Sequence, residues 1–295
     1  MKTIKLIAIG CLVCFLGACS NEVDFGEQYK KVVYIVDAKD KVVKTQHQLV
    51  EKSEGYITFY CGGTEALKKD LTIHYAIDTN ALHRFNKTEY GEESKAKYLV
   101  YVPEEDVTFH EPTVTIKAGE EYGILHFSVK TVNLDPGAKN AIPITITSVS
   151  DGEINSGLKT LFYQLALVTP YSGTYDSETV SYDFFTYKEA KNITKTVIPL
   201  SRNSIRIPFN QKEIQDGNKN YFDVTINTED NTLTLSSPRT DIKFMNPVKY
   251  RPNSGDPLTD IPTNYYNPDT KEIVIGYNIT SDPWVNYVEV LRLLK

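Results

Sequence analysis

The chain has 295 residues, 41% of them hydrophobic and 24% charged, with a formal net charge of -6 at pH 7. This composition excludes a disordered chain, and the acidic balance gives no electrostatic reason to bind nucleic acid or anionic lipid headgroups. The length favours two domains, and 20 tyrosines against 12 phenylalanines and one tryptophan make tyrosine the compositional outlier.

Lys2 and Lys5 precede an apolar run from Leu6 to Leu16, which ends at Leu16-Gly17-Ala18-Cys19. A basic start, a short apolar core and a small-small-Cys site form the layout of a bacterial lipoprotein signal over residues 1–18. Cleavage before Cys19 then frees that residue for lipidation. The other readings are an ordinary secretory signal or an uncleaved anchor, but the run is short of the ~20 residues of a spanning helix. Without residues 1–18 the balance is 30 basic against 38 acidic residues, a formal charge of -8. Cys11 and Cys14 leave with the signal and Cys19 takes the lipid, so Cys61 remains, and it reads as a small buried hydrophobe.

Residues 19–28 read as a lipidated tether, and Glu22 and Asp24 follow Cys19 closely. Acidic residues at that place resemble the surface-export signals of Bacteroidetes lipoproteins, which implies a lipid-anchored protein of the outer membrane facing the cell exterior.

From Val32 onward the apolar segments are short, rich in Val, Ile, Thr and Tyr, and closed by Gly, Pro, Asn or Asp, the pattern of strands and turns. Strands are predicted at Val32–Val36, Gln46–Val50, Tyr56–Cys61, Leu71–Ile77, Tyr98–Val102, Thr113–Lys117, Gly123–Val129, Ile142–Thr147 and Leu161–Leu167, with one helical turn at Ala81–Phe85. After Thr169-Pro170 a second series opens at Gly173. It continues through Tyr182–Tyr187, Thr196–Leu200, Ser204–Phe209, Tyr221–Ile226, Thr232–Leu235, Ile273–Ile279 and Trp284–Leu293. Residues 246–269 are proline-rich and read as a long irregular loop. The expectation is an all-β chain: a two-sheet sandwich over 29–169, then a small barrel or sandwich over 170–295.

Five stretches carry a resemblance. Val107–Lys130 with Ala141–Asn155 resembles the N-terminal Ig-like domain of unknown function of Bacteroidetes outer-membrane lipoproteins, some of which place it ahead of an endo-β-N-acetylglucosaminidase. Ser172–Phe185, Asn267–Ile279 and Trp284–Arg292 resemble the lipocalin-like C-terminal domain paired with it in polysaccharide-utilisation loci. The resemblance implies a surface lipoprotein beside a SusC/SusD-type importer, holding oligosaccharide or polysaccharide and lacking the catalytic barrel of some relatives.

The residues themselves offer no fingerprint of an enzyme or a cofactor. His47, His74, His83, His110 and His126 are scattered without metal-ligand spacing, so no metal or cofactor is assigned. Glu104-Glu105-Asp106 and Glu120-Glu121 read as solvated turn charge rather than as the carboxylate pair of a glycosidase. Sugar binding asks for an aromatic platform with polar side chains around it. The 246–269 loop supplies Tyr250, Tyr265 and Tyr266 as platforms and Asp260 and Asn264 as hydroxyl partners. Trp284 is the remaining candidate, although Val285, Tyr287, Val288 and Val290 after it favour a strand that buries it. The expected function is non-catalytic glycan binding, with an assembly subunit that binds other surface proteins, or a hydrolase with an unrecognised site, as alternatives.

Overall fold

The computed structural model describes residues 29–182, 187–215, 217–245, 249–250, 261–262 and 264–294. The signal, Cys19, the tether and Asp260 lie outside these residues.

The first eleven strands are β1 Val32–Ile35, β2 Val42–Gln48, β3 Ser53–Gly62, β4 Leu71–Ile77, β5 Leu99–Tyr101, β6 Val107–Phe109, β7 Thr113–Ile116, β8 Tyr122–Val129, β9 Lys139–Val149, β10 Glu153–Ile154 and β11 Thr160–Val168. They form two sheets, one in the order β10-β1-β3-β8-β6 and the other β2-β11-β9-β4-β7, with β5 paired to β9. Period-two alternation sends Ile57, Phe59, Leu125 and Phe127 of one sheet against Ile73, Ile116, Ile144 and Leu165 of the other, in one continuous core. Cys61 belongs to that core.

The predicted helical turn is a full helix, α1, over Thr79–Tyr90. Its start is set by Asp78, whose side chain accepts the Ala81 N–H at 2.8 Å. Leu82 and Phe85 cover the outer face of the second sheet with Leu99, Ala141 and Phe162. Asn86, buried, exchanges two hydrogen bonds with the backbone of Leu99 and ties the helix to β5. This cover buries both faces of β9, so residues 140–146 are buried without a break.

The remaining strands are β12 Gly173–Tyr182, β13 Tyr187–Ser201, β14 Ser204–Pro208, β15 Tyr221–Ile226, β16 Leu233–Ser236, β17 Ile242–Phe244, β18 Lys249–Tyr250, β19 Ile261–Pro262, β20 Tyr265–Asn267, β21 Glu272–Ile279 and β22 Asp282–Leu293. The strand predicted over 182–187 is instead the end of β12 and the start of β13. The predicted loop 246–269 contains three short strands, β18 and β19 paired with each other and β20 paired with β21.

The order β16-β15-β14-β13-β12-β22-β21, with β20 beside β21, is antiparallel throughout. It closes on itself where Thr232, just before β16, bridges Tyr265 of β20. Leu233 N–H donates to Asn264 O at 3.0 Å and Tyr266 N–H to Asn231 O at 2.9 Å. The result is a small barrel. Its interior holds Tyr175, Val197, Ile205, Ile207, Phe222, Val224, Ile273, Tyr277 and Leu291.

Asn264 secures the closure. β17 and β20 lie end to end along the same edge of β21, and Asn264 fills the gap between them. Its Oδ1 accepts the Gly276 N–H at 3.0 Å and its Nδ2 donates to Met245 O. It adopts φ 58°, a left-handed conformation that asparagine tolerates better than most residues. Asn264→Ala leaves both backbone groups unpaired, and we expect it to lower stability by about 2 kcal/mol or more in urea unfolding.

His47 offers a second test. It is 2% exposed, and its ring nitrogens lie 2.9 Å from Ser53 Oγ and 2.9 Å from Tyr163 OH. Burial pushes its pKa below the usual histidine value. The unfolded chain therefore takes up a proton near pH ~6.5 that the folded chain refuses, so stability is full above that pH and is lost as pH falls towards the depressed value. The urea midpoint is expected to fall between about pH 7 and about pH 5.5, and His47→Gln to flatten the slope over that window.

Candidate functional site

Inward-facing residues alternate along each barrel strand, and on three adjacent strands polar ones are set among the apolar Tyr175, Ile193, Val197 and Leu291. β12 sends Ser177, Thr179 and Ser181 inward, β13 sends Lys191 and Lys195, and β22 sends Tyr287 and Glu289. The opposite wall, from β14, β15 and β21, is apolar. At one end the polar stripe opens into a cavity of about 190 Å3 lined by Thr179, Ser181, Lys191, Asn210, Tyr277, Ile279 and Tyr287.

Two tyrosines form the aromatic wall. Tyr277 and Tyr287 face each other across β21 and β22, with ring centroids 5.3 Å apart and planes within 8° of parallel. Phe209 and Phe222 pack behind Tyr277 with centroids at 5.7 and 5.2 Å, so its ring is held in place. Burial first, then the charge of Glu289, pushes the Tyr277 hydroxyl well above the usual tyrosine pKa. Burial first, then Asp282, raises that of Tyr287. Both phenols stay protonated at neutral pH and remain hydrogen-bond donors as well as acceptors.

Beneath the cavity, Lys195 and Glu289 are each 1% exposed and form an ion pair. Ser177 Oγ donates to Glu289 Oε1 at 2.7 Å. A charge this deep costs several kcal/mol unless paired, so the two side chains, on the strands either side of β12, fix each other. Among the described residues the cavity is lined by no carboxylate, and no cluster there has the make-up to hold a metal ion. The arrangement can stack an apolar ring face and satisfy ring hydroxyls.

The sequence-derived sites fare unevenly. Tyr266 is 6% exposed and packs edge-on to Tyr171 at 4.9 Å inside the barrel core, which corrects its assignment as an exposed platform. Asn264, also 6% exposed, spends its amide on closing the barrel and has none left for a sugar. Tyr265 is half-buried in β20. Tyr250 falls in β18, its side chain outside the description, as is the whole of Asp260. Trp284 reverses the expectation of burial, being 71% exposed beside the β21–β22 hairpin at the same end of the barrel as the cavity. Tyr277, Tyr287 and the hydroxyl row were missed. Their signal is the period-two series Tyr175, Ser177, Thr179, Ser181, which in an open sheet would mark a solvent face.

On the sandwich, Tyr34, Tyr60 and Tyr122 line up across β1, β3 and β8 with centroids 5.2 and 4.9 Å apart. Their planes are tilted by 52° and 55°, so the row is no flat platform for a sugar chain.

The chain is thus a two-domain all-β protein whose C-terminal barrel carries a polar-walled cavity at its mouth. Residues 29–153 match the family model of an N-terminal domain and residues 159–292 that of a C-terminal domain. The C-terminal match starts just before β11, a strand that lies between β2 and β9 in the sandwich. No curated protein matches the chain. Among solved structures it is similar to a multidomain protein including DUF1735 from Bacteroides ovatus, at 15% identity and TM-score 0.55, covering 88% of this chain and 93% of that one. It is also similar to an auxiliary nutrient binding protein from Bacteroides thetaiotaomicron, at 13% identity and TM-score 0.50, covering 87% and 92%. At these identities the likeness is one of fold.

The ion pair under the cavity gives a direct test of how the barrel is held. Glu289→Ala strands the Lys195 charge and is expected to cost about 3–5 kcal/mol, whereas Lys195→Met with Glu289→Leu should unfold at or above the parent's urea midpoint.

Proposed function

We propose that this chain is a non-catalytic glycan-binding lipoprotein of the cell surface. Cys19 anchors it to the outer membrane, and it works beside a SusC/SusD-type importer. The observation that carries the reading is the barrel-mouth cavity, which sets the stacked Tyr277–Tyr287 wall against Thr179, Ser181 and Asn210. A pyranose has the matching chemistry, with an apolar face for the Tyr287 ring, which the buried Tyr277 backs, and edge hydroxyls for the polar side chains. The fold it shares with a protein described as nutrient binding supports the same reading. A hydrolase is disfavoured because, among the described residues, the cavity lining holds no carboxylate and Glu289, beneath it, is already committed to Lys195 and Ser177.

A second reading, a subunit that docks on another surface protein, draws on the outer face of the sandwich, where Tyr56, Tyr122 and Ile124 are exposed.

The chain from Ser20 onward, run on affinity gels containing soluble polysaccharides, is expected to be retarded by at least one of them. Tyr287→Ala should weaken that interaction by about tenfold, equivalent to ~1.4 kcal/mol. Trp284, the chain's single tryptophan, stands exposed at the mouth, and its fluorescence should change on binding. A folded parent that no glycan retards would favour the docking subunit.

A further inference from the structure

The cavity is blind. Below Ser181, Tyr277 and Tyr287 the barrel is filled, with Tyr175, Ile275 and Leu291 fully buried and Ser177, Lys195 and Glu289 almost so. The Lys195–Glu289 pair, which reaches over β12 at that level, is the hardest part of the filling to displace, because separating the charges would leave each buried alone. No chain can thread the barrel from one end to the other. The open volume, about 190 Å3, is below the ~300–1,000 Å3 of pockets that enclose drug-sized molecules. One hydroxylated six-membered ring fits it, and a second ring behind the first does not.

We propose that the barrel mouth captures a glycan end-on, by its terminal sugar, rather than along the length of a chain. The inference rests on the glycan-binding reading above and adds the mode of recognition. The terminal ring lies against Tyr287, which is stacked on the buried Tyr277, with its edge towards Thr179, Ser181 and Asn210 and with Lys191 at the side. The rest of the glycan leaves through the mouth past the β21–β22 hairpin, where Trp284 stands exposed. Affinity is then set by the identity of the end sugar, and each glycan chain offers one site however long it is.

Calorimetry on the chain from Ser20 onward tests this with malto-, manno- and xylo-oligosaccharides of three and six units and with the matching polysaccharides. End-on capture predicts one protein per chain at every length, similar affinity per chain end for trimer and hexamer, and polysaccharide capacity that rises when partial acid hydrolysis creates new ends. Several proteins bound per hexamer or per intact polysaccharide chain would overturn end-on capture while leaving glycan binding standing. No binding of any probe by the folded parent would overturn both. Ser181→Phe places a ring in the cavity and is expected to abolish binding with an unchanged circular dichroism spectrum. Parent-like binding by that variant would place the site elsewhere, and the stoichiometry test on the parent stands even if the variant does not fold.

Discussion

The closure of the barrel at Asn264 is the constraint on which the C-terminal domain depends. An open sheet of the same strands would turn Ser177, Thr179, Ser181, Lys195 and Glu289 to water, and there would be no inside. Three backbone contacts, Thr232 with Tyr265, Leu233 with Asn264 and Tyr266 with Asn231, join the ends. The Asn264 amide then satisfies the groups of Gly276 and Met245 that a continuous neighbouring strand would have paired. A side chain stands in for a piece of backbone, so one residue decides whether the polar stripe is a surface or a cavity wall.

The interior so formed is unusual for a small barrel, since such interiors are filled by side chains that are mostly apolar. Burying Lys195 with Glu289 gains little stability over a well-packed apolar pair. What the pair does supply is a rigid polar floor beneath a cavity whose walls are a fixed aromatic pair and a row of hydroxyls. The apolar half, Ile205, Ile207, Phe209, Phe222 and Val224, carries the stability and holds Tyr277 in position. The two halves divide the labour between folding and recognition. The sandwich has a core of its own, sealed on one side by α1, in which the single buried histidine is satisfied by Ser53 and Tyr163.

Strand patterning was the most legible layer. Leu71–Ile77 alternates cleanly and is β4, and Tyr221–Ile226 is β15, because each pairs locally or buries one whole face. Elements held by distant partners were harder to see. α1 looked like a single turn because its apolar stripe is thin, and it is fixed instead by the Asp78 cap and by Asn86 reaching across to β5. β20 is three residues long, set among Asn, Pro and Asp, and it exists through its pairing with β21 and its bridge to Thr232. Reading it as loop turned Tyr266 and Asn264 into sugar contacts, when one is core and the other is the latch.

By itself the sequence determined an all-β chain in two units. Those properties are written in local composition and in period two. Which side of each strand is the inside was decided only by the tertiary structure. Polar alternation such as Ser177-x-Thr179-x-Ser181 has the same period whether it faces solvent or a cavity, and the difference is made by ring closure between residues far apart in the chain. Trp284 and Tyr266 exchanged places for that reason. Hydrophobicity predicts burial only once the geometry has said which surface is enclosed, and here Trp284 projects outward at the mouth while Tyr266 points into the closed barrel.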